Sequence, residues 1–134
     1  ILGVAWLGTT FMTANKDWIQ AHLGQALSGK PWLFAILVVV ASSLLYSQAA
    51  STKALFPTAL AIGVAPATVV ACFPATSSLF ILPTYPTLLA AVELDDTGST
   101  RLGTRFFDHP FLIPGLVATG LSVVFGFLLA ALVM

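Results

Sequence analysis

Long apolar runs separated by short polar punctuation set the pattern of this chain. Residues 31–52 form a stretch of 22 without Asp, Glu, Lys or Arg, residues 54–92 a stretch of 39, and no such residue occurs from His109 to Met134. About 20 apolar residues cross about 30 Å of hydrocarbon as a helix, so these runs predict membrane helices. The clearest is Phe111 to Met134, 24 residues long, with Pro114 tolerated in its first turn. Ala118, Ser122, Gly126 and Ala130 recur along it every four residues, and such small side chains predict a surface that another helix approaches closely.

Upstream the pattern is more broken. Residues 1–11 read as the end of a membrane helix, and 12–31 as a polar connection holding Asn15, Lys16, Asp17, His22, Gln25, Ser28, Gly29 and Lys30. Trp18 and Trp32 flank it, as suits a segment at headgroup level where indole rings collect. Trp32 to Tyr46 is only 15 residues, about 22 Å of helix, and ends in the polar stretch Ser47-Gln48-Ala49-Ala50-Ser51-Thr52-Lys53. Polar irregular backbone at membrane depth is tolerated only where protein or a watery cavity satisfies it. A re-entrant hairpin over 32–62 is therefore expected, with its tip at Gln48 to Thr52 and its return arm at Ala54 to Ile62, closing at Gly63-Val64-Ala65-Pro66. A rival parse runs one helix from Thr52 to Phe73, kinked at Pro57 and Pro66.

A broken helix is expected over 67–92. Its first limb, Ala67 to Leu82, carries Pro74 and the hydroxyls of Thr76, Ser77 and Ser78; Pro83-Thr84-Tyr85-Pro86 then removes two N–H donors before the helix restarts at Thr87. Broken membrane helices expose free N–H groups and a positive dipole end at mid-depth, where they hold an anion. A plain proline kink without a ligand is the alternative. A hydrophilic loop follows over 93–110, with Glu93, Asp95, Asp96, Arg101, Arg105 and Asp108. Each of the two loops carries two basic residues, so the positive-inside rule assigns no orientation.

Composition sharpens this picture. Of 134 residues 58% are hydrophobic and only 7% charged, and mean hydropathy is +1.00. An all-α integral membrane protein is expected, and a soluble globular fold is excluded. The net charge of zero gives nothing to draw in a phosphate backbone, so no nucleic-acid partner is expected. The single cysteine, Cys72, offers neither a disulfide nor a metal-ligand spacing. Asp96-Thr97-Gly98-Ser99 copies the aspartic-protease tetrad but lacks the apolar strand and second carboxylate that chemistry needs, so it reads as a turn. His22 and His109 fall at loop positions and read as solvated. No enzyme chemistry, cofactor or metal is expected. Lys53 stands alone between the two uncharged runs, where a charge costs several kcal/mol unless paired or hydrated. It reads either as a counter-charge for an anionic substrate, or as a lysine reaching an interface or pairing with an acid in the missing part.

In order and spacing, Gly3-Val4-Ala5-Trp6-Leu7-Gly8, Thr10-Phe11, Ser47-Gln48-Ala49-Ala50, Phe73-Pro74-Ala75, Pro83-Thr84-Tyr85-Pro86 and Asp96-Thr97-Gly98-Ser99-Thr100 resemble the C-terminal third of the bacterial anaerobic C4-dicarboxylate transporters. The resemblance spans essentially the whole chain. With an opening at Ile1 inside an apolar segment, it implies a fragment whose N-terminal part is missing. It further implies a multi-pass protein of the bacterial inner membrane that exchanges or takes up fumarate, succinate, malate and aspartate. Two inverted repeats would each supply a hairpin and a broken helix, and the protein would pair as a homodimer. Distant sodium-coupled relatives carry Ser-Asn-Thr at the hairpin tip and Thr-Pro-Pro at the helix break. Here the tip has no Asn and the break reads Thr84-Tyr85-Pro86-Thr87, so neither Na+ nor H+ is assigned as coupling ion.

A dianion that must also leave again is better held by hydroxyls, amides and helix N-termini than by fixed charges. The expected substrate-binding residues are Ser47, Gln48, Ser51, Thr52 and Lys53 at the tip and Thr84, Tyr85 and Thr87 at the break, with Thr76, Ser77 and Ser78 as secondary candidates. A channel lined by these interruptions, or a structural membrane subunit in which they only pack, are the competing readings.

Overall fold

The computed structural model describes residues 29–99 and 109–133, together with positions 6, 10, 13–15, 17, 18, 21, 22 and 27. Among the described residues the chain is all-helical, without a strand. Five α-helices are denoted α1 (Trp32–Leu45), α2 (Gln48–Ala61), α3 (Pro66–Ala71), α4 (Pro86–Glu93) and α5 (Leu112–Val133), with a 3-10 segment, Phe73–Phe80, between α3 and α4.

Between α1 and α2 stand only Tyr46 and Ser47. Tyr46 turns left-handed (φ 48°) while its N–H still closes the last turn of α1 on the Ser42 carbonyl at 3.0 Å. Ser47 is extended, and its Oγ accepts from the Ala50 N–H at 3.2 Å, capping α2. The two helices run antiparallel: Phe34, early in α1, meets Phe56, late in α2, with ring centroids 5.9 Å apart. Each helix has 14 residues, about 21 Å, too short to cross a bilayer alone. The turn thus lies at Tyr46–Ser47, and the residues expected as an irregular tip, Gln48 to Thr52, form the first turn of α2. Their hydroxyls explain the difference. Ser51 Oγ donates to the Ser47 carbonyl at 2.9 Å and Thr52 Oγ1 to the Gln48 carbonyl at 2.8 Å, so polar side chains satisfy themselves inside a helix.

α2 keeps Pro57 in its interior, which leaves the Lys53 carbonyl without the N–H it would otherwise receive. The helix ends in a Schellman motif: Gly63 (φ 90°) donates to the Leu60 carbonyl at 3.1 Å and Val64 to the Ala59 carbonyl at 3.0 Å. Pro66 then starts α3, so the continuous helix from Thr52 to Phe73 is not formed.

The limb expected as one helix over Ala67 to Leu82 is two pieces. α3 stops at Ala71, the chain tightens into the 3-10 segment around Pro74, and Ser78 leaves helical geometry (φ −75°, ψ 36°). Residues 81–85 form the break before α4, which opens at Pro86. Phe34, Val38, Leu55, Ala59, Val69, Cys72 and Ala75 bury themselves where α1, α2, α3 and the 3-10 segment meet.

Among the described residues α5 alone, with 22 residues, is long and apolar enough to span a membrane. It lies along α3 and the 3-10 segment. Gly115 and Gly126 permit this contact, since a Cβ on either would stand 2.5 Å from the Phe80 ring or 2.6 Å from the Ala71 carbonyl oxygen. Of the expected small-residue stripe, Gly126 and Ala130 lie on the packed side, whereas Ala118 and Ser122 are exposed. A residue recurring every four positions drifts around a helix of about 3.6 residues per turn, and the stripe leaves the contact. The other face exposes Val117, Leu121, Val124, Phe125 and Leu128.

In the stretch expected as a polar connection, the described positions Thr13, Ala14, Asp17, Trp18, Ala21, His22, Leu27 and Gly29 are helical. Trp18 and His22, one turn apart, stack at 4.6 Å, and His22 Nδ1 lies 2.9 Å from the Trp18 carbonyl oxygen. His109 departs from the solvated reading. It is buried, and its ring nitrogens meet no hydrogen-bond partner among the described residues. Arg101, Arg105 and Asp108 lie outside the described residues, as does most of 1–11.

Candidate functional site

The polar interruptions of the chain converge on the turn between α1 and α2. Tyr46 and Thr84 share a hydrogen bond between their hydroxyls, joining that turn to the break before α4. Beside it Gln48 Nε2 donates to Ser77 Oγ at 3.2 Å. The Tyr46 and Tyr85 rings lie nearly parallel, 15° apart in plane, with centroids at 6.1 Å. Five side chains from the turn, the start of α2, the 3-10 segment and the break thus form one partly open polar cluster.

Not all expected site residues enter it equally. Gln48, Ser77, Thr84 and Tyr85 are brought together, and Gln48, Ser77 and Thr84 are exposed. Ser47 stands at the turn, with its hydroxyl engaged in capping α2. Ser51 is fully buried and bonded to its own helix, as is Thr76, whose Oγ1 donates to the Phe73 carbonyl at 2.7 Å. Thr52 is half-buried with its hydroxyl bonded backward. Lys53 is exposed on α2, and Thr87 is exposed in the first turn of α4. Ser78 is buried, and its Oγ has no hydrogen-bond partner, a property shared with Ser42 in the last turn of α1.

Chemically the cluster is a set of neutral donors. Hydroxyls and an amide can present hydrogens to a carboxylate without a fixed counter-ion, and the exposed ammonium of Lys53 supplies positive charge on the same helix. Among the described residues no group of three or more His, Cys, Asp or Glu is placed to hold a metal ion. Reading the sequence alone missed Tyr46. Its one available signal was position, an aromatic phenol directly before the Ser47 cap at the end of an apolar run.

Among the described residues the arrangement is all-helical, with one helix of membrane length, and is consistent with a membrane transporter. The comparisons agree. The family described as "Anaerobic c4-dicarboxylate membrane transporter" matches residues 1–134, and the chain belongs to that family. It is 59% identical over 131 residues to the C4-dicarboxylate transporter DcuA of Escherichia coli strain K12, covering 98% of this chain and 30% of that protein. To the C4-dicarboxylate transporter DcuA of Wolinella succinogenes it is 54% identical over 134 residues, 100% of this chain and 31% of the relative. The anaerobic C4-dicarboxylate transporter DcuB of Escherichia coli O6:H1 is 42% identical over 132 residues, 98% of this chain and 30% of the relative. The chain thus spans about a third of the length of these relatives. No solved structure matches it.

Proposed function

We propose that this chain is part of a secondary transporter that exchanges or takes up C4-dicarboxylates such as fumarate, succinate, malate and aspartate. The protein would sit in the bacterial inner membrane as a multi-pass protein. The observation that carries the reading is the joining of polar interruptions: the Tyr46–Thr84 hydrogen bond ties the turn at Tyr46–Ser47 to the break at 81–85, and the Gln48–Ser77 bond ties the start of α2 to the 3-10 segment. A packing domain has no need to gather donors from elements 29 and 38 residues apart at an exposed surface. The relatives are named for C4-dicarboxylate transport, which supplies the substrate class.

In this reading α1 and α2 form a re-entrant hairpin, and residues 67–92 the broken helix of one of two inverted repeats. One carboxylate of the substrate takes hydrogens from Gln48, Ser77, Thr84 and Tyr85, and Ser47 and Thr87 flank it. Lys53 offsets charge. Buried Ser51, Thr76 and Ser78, with Thr52, hold the frame behind them. The remainder of the transporter completes the site, and two copies pair as a homodimer.

Counterflow of labelled succinate in proteoliposomes of the full-length parent tests this. A carrier gives saturable uptake accelerated by unlabelled dicarboxylate on the far side. Linear flux without trans-stimulation would show a channel, and no flux a structural subunit.

A further inference from the structure

We propose that Tyr46 is a positioning residue for dicarboxylate binding, holding the hairpin turn against the helix break so that the donors of both face one substrate; this rests on the transport reading above. Among the described residues Tyr46 is the one residue other than glycine with positive φ. Left-handed turns after a helix are normally made by glycine, which adopts them without steric penalty. A bulky side chain at such a place performs something that glycine could not.

What it touches indicates the task. The Tyr46 hydroxyl is bonded to that of Thr84, and the ring lies beside that of Tyr85, both in the break. Gln48, two residues on, is bonded to Ser77 just before the break. The strained turn is therefore tied to the opposing element by one phenol, through its oxygen and its ring face. Two hydroxyls bonded to each other consume one proton, and the second stays free to donate to an incoming carboxylate. Orientation of that remaining donor depends on the bond between them. Without it Thr84 rotates freely, while the Tyr46–Tyr85 ring contact and the Gln48–Ser77 bond keep the turn near the break without orienting that donor.

The test is succinate counterflow in the full-length parent with Tyr46→Phe, Thr84→Val, the double variant, Thr84→Ser and Tyr46→Gly. Tyr46→Phe keeps the ring contact and removes only the hydroxyl. Loss of one oriented bond should raise KM about five- to tenfold while the maximal rate stays within about twofold. Thr84→Val, which also removes a substrate donor, should raise KM at least as far, the double variant should be no worse than Thr84→Val alone, and Thr84→Ser should keep native KM. Tyr46→Gly relaxes the backbone and should still show the raised KM. Native KM in Tyr46→Phe, additive effects in the double variant, or native transport by Tyr46→Gly would each overturn the proposal while leaving the transport reading intact. If native protein shows no counterflow with any C4 acid, both fall together. Should Tyr46→Phe fail to reach the membrane, the contrast between Thr84→Val and Thr84→Ser carries the test: a raised KM in both would overturn it.

Discussion

Gly126 of α5 and Ala71 at the end of α3 approach so closely that a Cβ on the glycine would stand 2.6 Å from the alanine carbonyl oxygen and 3.0 Å from its Cα. Backbone cannot yield as a side chain can, so Gly126→Ala has to push α5 away. An overpacked contact costs about 1–3 kcal/mol, more than the helix propensity gained from alanine. Gly120 meets nothing within 4 Å. Gly120→Ala should therefore leave the thermal midpoint of the purified full-length parent unchanged or raised, and Gly126→Ala should lower it. Gly115→Ala falls between, because its obstacle is the movable ring of Phe80.

Gly63 makes the Schellman closure of α2 at φ 90°. No neighbour lies within 4 Å of its would-be Cβ, so space is not the issue. Gly63→Ala should cost about 1 kcal/mol through backbone strain alone, visible as a lower thermal midpoint with unchanged succinate KM.

Two buried serines should respond differently to removal of the hydroxyl. Ser51 Oγ donates to the Ser47 carbonyl, whereas Ser78 Oγ is buried without a partner. Ser51→Ala removes a satisfied bond and should destabilise by about 1 kcal/mol; Ser78→Ala removes an unsatisfied hydroxyl and should be neutral or stabilising in thermal unfolding. Destabilisation by Ser78→Ala equal to that of Ser51→Ala would show that the Ser78 hydroxyl is satisfied in the whole transporter.

Lys53 is exposed and contributes little to the packing of α2. Lys53→Ala should leave the thermal midpoint within about 0.5 kcal/mol of native stability. If its ammonium offsets substrate charge, counterflow should fall about tenfold or more, with Lys53→Arg retaining part of it. Unchanged counterflow in Lys53→Ala would assign the lysine to an interface instead.

The membrane-length α5, the short apolar run of α1 and the closure at Gly63 were legible beforehand, and the helix expected to restart at Thr87 does so one residue earlier, at Pro86. Each depends on a run length or on the local chemistry of glycine and proline. The turn itself was displaced. Polarity over Gln48 to Thr52 pointed to a loop, but serine and threonine can return their hydroxyls to carbonyls four residues back and remain helical. The switch to 3-10 geometry after Ala71 and the departure at Ser78, in a segment that packs against α1, were not expected.

Within the candidate site, residue types were readable and roles were not. Ser47, Gln48, Ser51, Thr52, Thr76, Ser77 and Ser78 are similar in sequence: short polar side chains inside apolar surroundings. Rotation of each helix about its axis, set by how Phe34, Val38, Leu55 and Ala75 pack, decides which of them turn inward. The chain's own sequence determined its membrane character, its glycine and proline punctuation and its family, because those rest on hydropathy, backbone chemistry and ordered motifs within a few residues of one another. Tertiary structure alone decided that Tyr46 meets Thr84 across 38 residues, because a contact between helices depends on their relative placement, which no local pattern encodes.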